Sequence, residues 1–192
     1  MLWNEVNTEF DCDFLRYAYD NEKWAFVSDY VRLKAVYDYG GVYLDTDMLL
    51  LKPLDFFLND ECFFVAEHKN SIGVSVFGAV KNSFFIKACK SYYLNYDSYK
   101  NQSLIPMPKV VTDAYEEHYN KENVFLEDIK LKGLTIYHED YFYALPYGKL
   151  FDIHNYKKYL KDNSYGVHLW FGSWHSYNEL MLIRRKEYSK AF

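Results

Sequence analysis

The sequence predicts an α/β fold, and three observations carry the prediction. Residues 24–51 (WAFVSDYVRLKAVYDYGGVYLDTDMLLL) read as a helix, a glycine stop, a short apolar strand and a pair of aspartates. Two more apolar runs of strand length follow, CFFVAE at 62–67 and IGVSVFGA at 72–79. Behind them, Phe84, Phe85, Ala88, Cys89, Tyr92 and Tyr93 recur at helical spacing across 83–99, a stripe that reads as core.

Taken in order, residues 13–21 form a helix whose apolar face is Phe14, Leu15, Tyr17 and Ala18. The longer helix starts near Ser28 or Asp29, either of which suits a cap, and stops at Gly40-Gly41. Val42, Tyr43 and Leu44 favour a strand, and their unbroken apolar run predicts burial on both faces. After Asp47 a second apolar strand spans 48–51 until Lys52-Pro53 ends it, and 54–58 make a short turn or helix. Gly73 and Gly78 allow backbone to approach a ligand closely. Pro106 and Pro108 mark a loop, 110–119 a helix with Thr112 or Asp113 near its start, and LTIYH at 134–138 a strand.

Chemistry concentrates at the end of the first strand. In extended chain Asp45 and Asp47 point to one side and Thr46 to the other. Two carboxylates there repel unless a cation lies between them, and oxygen ligands of this kind suit Mg²⁺ or Mn²⁺. A bare D-x-D is too short to exclude a pair of solvated turn aspartates. Asp29 and Arg32 share one helix face three residues apart. They read either as a surface ion pair or as a carboxylate and a planar guanidinium near the metal.

Bulk properties narrow the class. A chain of 192 residues fits one domain, 1–192, with a real core, and 50% hydrophobic residues exclude a disordered chain. A net charge of −5 argues against nucleic acid as partner. With 21 Tyr and 15 Phe, aromatic faces and phenol hydroxyls beyond those of the core suit carbohydrate. Cys12, Cys62 and Cys89 show no metal-ligand spacing, so free thiols in a reducing cytoplasm are the simplest expectation. Neither a membrane span nor a signal peptide is read. Residues 179–192 form a basic amphipathic tail that suits a solvated helix or weak contact with a membrane surface, peripheral at its inner face.

The combination S-D-x-x-R followed by G-G-x-Y-L-D-x-D, in SDYVRLKAVYDYGGVYLDTDMLLLKPL, closely resembles the core of family-32 glycosyltransferases, described by a sugar-binding region with a DXD motif. It is similar, more distantly, to the glucosylating domain of large clostridial toxins. The resemblance implies a GT-A fold with a mostly parallel sheet flanked by helices. It also implies a nucleotide-sugar donor (UDP- or GDP-hexose), Mn²⁺ or Mg²⁺, a glycan acceptor and retention of anomeric configuration. Asp29, Arg32, Asp45 and Asp47 are then catalytic, and Ser28, Asp29, Arg32, Tyr43, Asp45, Ser173 and Trp174 bind the donor. YGVHLWFGSW at 165–174 resembles the family's H-x-W-x-x-S-W ending, which makes His168 a third metal ligand beside Asp45 and Asp47. Ser75 is the residue of 72–79 singled out to face the donor sugar. YFYALP at 141–146 resembles the element before the closing segment, whereas IPMPKVVTDAY departs from the family's T-G-P element.

Relatives carry a strand, a helix and a further strand that ends in a similar W-N-E. Here MLWNE opens the chain, with Trp3 either at a strand end, which puts Asn4 near the nucleotide, or simply a buried anchor. The fold is therefore expected to be N-terminally shortened. The exposed edge is then covered by a second copy of the chain, as a homodimer, or the nucleotide is held weakly; the second is preferred. The activity expected is transfer of a hexose to a glycan hydroxyl in polysaccharide or lipid-linked oligosaccharide synthesis. The alternatives are an inactive remnant that binds glycan or protein, and, more weakly, a phosphohydrolase built on Asp45 and Asp47.

Overall fold

The computed structural model describes residues 6–171. Helix α1 (Asp13–Asp20) buries Phe14, Leu15 and Ala18. Helix α2 (Trp24–Tyr39) starts earlier than expected, with Lys23 at its cap position and no side-chain cap. Ser28 and Asp29 therefore lie inside the helix: the Ser28 hydroxyl donates to the Ala25 carbonyl (2.8 Å), and Asp29 is free to serve another element. Gly40 ends α2 at φ 72°, its N–H donating to the Val36 carbonyl (2.9 Å). A side chain there would meet the Lys81 backbone nitrogen at 2.9 Å, so glycine is required on both counts.

Strand β1 (Gly41–Leu44) follows, then β2 (Met48–Leu50) and a 3₁₀ turn at Asp55–Asn59. Next come β3 (Cys62–His68), β4 (Ser71–Ala79) and α3 (Phe84–Leu94). The chain continues through α4 (Ser98–Asn101), α5 (Met107–Tyr119), β5 (Ile129–Leu131), β6 (Leu134–Tyr137) and, after further 3₁₀ turns, β7 (Gly166–His168). The helix expected at 110–119 begins at Met107 behind Pro106. Thr112 sits mid-helix, where its hydroxyl accepts from the Ile72 N–H of β4 (3.2 Å).

The main sheet has the order β1-β4-β3-β6-β5 and is mixed. Of its pairs only β3 with β6 is parallel; β1–β4, β3–β4 and β5–β6 are antiparallel. The expectation of a mostly parallel sheet is thus corrected. Lys69-Asn70 joins β3 to β4 and Lys132-Gly133 joins β5 to β6, and two-residue links close hairpins but cannot span a parallel crossover. Continuous burial of β1 is also corrected: it pairs with β4 alone among the described strands and is half-buried. β2 leaves the main sheet altogether and forms a two-stranded antiparallel sheet with β7.

Helices cover one face of the main sheet. Phe64, Ala66, Ile72, Phe77 and Ile136 pack there with Phe14, Tyr30, Leu33, Phe85, Tyr93, Val110 and Tyr115. On the opposite face, Phe63, Val65, Val76 and Tyr137 pack with Phe57, Phe142 and Tyr143 beside β2 and β7. Cys12, Cys62 and Cys89 are free and buried. No helix among the described residues is long and apolar enough to cross a membrane.

The main sheet is irregular where β3 meets β4. The register jumps from Phe64↔Phe77 to Val65↔Gly73, so Val74, Ser75 and Val76 have no β3 partners. The bulge lies opposite the end of β1, where Leu44 pairs with Val76 and the Asp45 N–H donates to the Ser75 carbonyl (2.8 Å). Bulges of this kind re-aim side chains next to sites.

Candidate functional site

Asp45, Thr46 and Asp47 form a turn between β1 and β2, closed by the Met48 N–H donating to the Asp45 carbonyl (3.1 Å). The extended alternation expected for the two aspartates is therefore corrected. The turn still converges them, because β2 pairs with β7 in the register Met48↔His168 and brings His168 alongside. One ligand atom from each of Asp45, Asp47 and His168 lies within 4.8 Å of the others.

The three groups are held firmly. His168 Nε2 is 3.2 Å from Asp47 Oδ1 and 3.3 Å from the Ser75 hydroxyl. Asp47 Oδ2 accepts from the Phe171 N–H (3.0 Å), and the Asp47 carbonyl accepts from the Leu169 N–H (3.0 Å). Burial alone would raise the Asp47 carboxyl, but its hydrogen bond to His168, the imidazole's charge and the Phe171 N–H hold it below its ordinary value. The His168 ring lies against Trp170, with centroids 4.2 Å apart, and the Trp170 indole N–H donates to the Leu145 carbonyl (2.7 Å).

Behind Asp45 sits Arg32, only 10% exposed. Its Nη1 donates to Asp45 Oδ1 (3.1 Å) and the Val74 carbonyl (3.5 Å). Its Nη2 donates to the Ser28 hydroxyl (2.8 Å) and pairs with Asp29 Oδ1 (3.2 Å), and Nε donates to the Ser28 carbonyl (3.2 Å). Four hydrogen bonds and one ion pair thus engage all three nitrogens of the planar fork. Burial works against the Arg32 charge, and Asp29, Tyr43 and Asp45 more than offset it. The guanidinium lies 4.7 Å over the Tyr43 ring, whose hydroxyl donates to Asp45 Oδ1 (2.6 Å). Asp45 Oδ1 is therefore occupied twice, by Arg32 and Tyr43, which leaves Oδ2 for a ligand. Asp29 reaches α5 by accepting from the Met107 N–H (3.2 Å), and burial lifts its carboxyl to about 6 against the pull of Arg32.

Two carboxylates and one imidazole make an oxygen-rich donor set with a single borderline nitrogen, which fits Mn²⁺ or Mg²⁺ better than a thiophilic metal. Octahedral ligands at about 2.1 Å span about 4.2 Å across the ion, so the observed spread accommodates one cation with small adjustment. The donor-binding expectations for Ser173 and Trp174 and the basic tail fall outside the described residues, as do Trp3 and Asn4. Ser28, Asp29, Arg32, Tyr43, Asp45, Asp47 and His168 are all brought into one connected cluster. Sequence reasoning missed Tyr143, whose hydroxyl accepts from the Ser75 N–H (3.0 Å) and which packs directly over Gly73. An aromatic facing a glycine across a strand was the available signal. A Cβ at Gly73 would stand 2.4 Å from the Tyr143 oxygen. Gly73→Ala should cost about 1–3 kcal/mol by overpacking, read by urea unfolding, and should displace Tyr143 from Ser75.

Residues 4–64 match the family model described as glycosyltransferase sugar-binding region containing DXD motif. Over 75 residues the chain is 39% identical to an uncharacterized protein of Arabidopsis thaliana, covering 36% of this chain and 11% of that protein. Over 180 residues it is 22% identical to an alpha-1,4-N-acetylglucosaminyltransferase of Homo sapiens, covering 88% of this chain and 46% of that one. The chain thus spans under half the length of these curated relatives. No solved structure matches it significantly. The family match takes in Arg32 and both aspartates, and the distant relative extends the likeness over most of the chain. Residues 4–64 are thus similar to the DXD-containing sugar-binding region of glycosyltransferases.

Proposed function

We propose that this chain moves a hexosyl unit from a nucleoside diphosphate sugar to a hydroxyl of a glycan, with metal assistance and retention of configuration. The observation that carries the reading is the convergence of Asp45, Asp47 and His168 within 4.8 Å on the turn that the family model matches. A bound Mn²⁺ or Mg²⁺ would supply positive charge to the departing diphosphate. Asp45 Oδ2, Asp47 and His168 would hold that ion. Arg32 and Tyr43 fix the Asp45 carboxylate from behind, so its orientation costs nothing when the donor arrives. Asp29 ties Arg32 to α5, which makes the grip on Asp45 depend on the helix layer. The His168, Trp170 and Tyr143 rings pack against one another beside the aspartates.

The test is thermal stabilisation by a panel of UDP-glucose, UDP-galactose, UDP-N-acetylglucosamine and GDP-mannose, each with Mn²⁺ or with chelator. A ligand at hundredfold excess over its Kd adds about 2.7 kcal/mol, so a matching donor should raise Tm by about 5 °C or more with Mn²⁺ and much less with chelator. No shift with any donor in Mn²⁺ would overturn the reading.

A further inference from the structure

Ser75 stands where the two halves of the cluster meet, and each of its polar groups is engaged. It lies in the bulge of β4, where Val74, Ser75 and Val76 have no β3 partners. Its N–H donates to the Tyr143 hydroxyl (3.0 Å), and its carbonyl accepts from the Asp45 N–H (2.8 Å). Its hydroxyl is 3.3 Å from His168 Nε2. One buried serine is therefore tied to Asp45 through its main chain and to His168 through its side chain.

The spacing around His168 Nε2 is that of a coordination shell more than of hydrogen bonds. That nitrogen has a single in-plane direction to offer, as a lone pair or as an N–H. Two oxygens face it, Asp47 Oδ1 at 3.2 Å and the Ser75 hydroxyl at 3.3 Å. Both are longer than the usual N–H···O separation of about 2.9–3.0 Å. Neighbouring ligands of an octahedral ion with bonds of about 2.1 Å lie about 3.0 Å apart. The Ser75 oxygen thus stands beside Nε2 at the same spacing as an oxygen of Asp47. Neutral hydroxyls of Ser and Thr hold Mg²⁺ in phosphate-binding loops, so the chemistry suits a hard cation.

We infer that Ser75 is a fourth ligand of the cation, its hydroxyl oxygen binding beside His168 Nε2. The inference rests on the proposed metal-assisted transfer. It also sets how much of the ion is left for the donor. Asp45 Oδ1 is taken by Arg32 and Tyr43, and Asp47 Oδ2 by the Phe171 N–H, so each carboxylate offers one oxygen. With Ser75 and His168 these fill four of the six octahedral positions. The two that remain match one oxygen from each phosphate of a nucleoside diphosphate.

The experiment measures metal binding itself. Calorimetry and electron paramagnetic resonance titrate wild type, Ser75→Ala and Ser75→Cys with Mn²⁺, alone and with UDP or GDP, and calorimetry repeats the series with Zn²⁺. Losing a partner at a metal site costs about 10–100-fold in metal affinity, so Ser75→Ala should bind Mn²⁺ at least about tenfold more weakly. Its Tm in chelator should change little, because the main-chain bonds to Asp45 and Tyr143 remain. Ser75→Cys replaces the hydroxyl by a thiol, and thiolate favours Zn²⁺. Its Mn²⁺ affinity should fall as in Ser75→Ala while its Zn²⁺ affinity rises above that of wild type. A residue that only positions His168 cannot make that exchange. Mn²⁺ affinity equal to wild type in Ser75→Ala, or a loss for both metals in Ser75→Cys, overturns the inference and leaves a site of three ligands. Wild type that binds no Mn²⁺, with or without nucleotide, overturns the metal-assisted reading instead.

Discussion

Asp47→Asn should abolish the metal-dependent part of nucleotide binding. Mutations that only disturb the groups behind a metal ligand already cost about 10–100-fold in metal affinity. Loss of a ligand itself should reach at least the upper end. The fold should survive, because the Asn oxygen can still accept from the Phe171 N–H and the main-chain bond to Leu169 is untouched. Removing one charge also relieves repulsion from Asp45. Calorimetry of UDP and GDP with Mn²⁺ or chelator reads the effect: wild type should separate the two conditions widely and Asp47→Asn should not. Equal affinity in both conditions for wild type would remove the metal from this site.

The second large effect is expected at Arg32, and here stability and function should fall together. Arg32→Lys keeps a charge but replaces a five-donor fork by a point charge with three donors. It cannot serve Ser28, Asp29, Asp45 and Val74 at once. Arg32→Ala leaves Asp29 buried without its partner, a change that costs about 3–5 kcal/mol. Against a total stability of about 5–15 kcal/mol that is a large share. Donor hydrolysis should drop more steeply in Arg32→Lys than bare nucleotide affinity does, since Asp45 is loosened and not removed. The neighbouring Asp29 adds a pH signature. Its carboxyl sits at about 6 in the fold against an ordinary 3.8, so the folded state holds the proton more tightly. That contribution is most favourable below 3.8, declines as pH rises towards about 6, and is flat above. Unfolding of Asp29→Asn should lack this decline, so the difference between the two proteins should change across that window and be constant beyond it.

Much of this was legible in the chain itself. The helix that ends at Gly40, the strand after it and the D-x-D at its tip follow from glycine chemistry and apolar patterning over a few residues. So do the apolar runs that became β3 and β4. Pairing direction was not legible in the same way, because it depends on the link and not the strand: only the two residues Lys69-Asn70 force β3 and β4 antiparallel. The cap of α2 was misplaced because Ser28 and Asp29 are good capping residues that the fold uses mid-helix, as partners of Arg32. His168 lies 121 residues from Asp47, and no local pattern joins them; only the likeness of the 165–174 segment to a family ending pointed there.

The pairing of β2 with β7 has a consequence for how the site comes into being. Neither strand belongs to the main sheet, and the register Met48↔His168 is what carries the imidazole to the aspartates. The site is therefore a clasp fastened by two short strands far apart along the chain, not a pocket carved into a finished core. Closing such a long loop has an entropic cost that the clasp must meet. A cation gripped by both sides would offset part of that cost, so its affinity and the docking of β7 form one linked equilibrium. Loosening the clasp away from the chemistry should weaken the ion, and supplying the ion should protect the amides of Leu49 and Val167 from exchange.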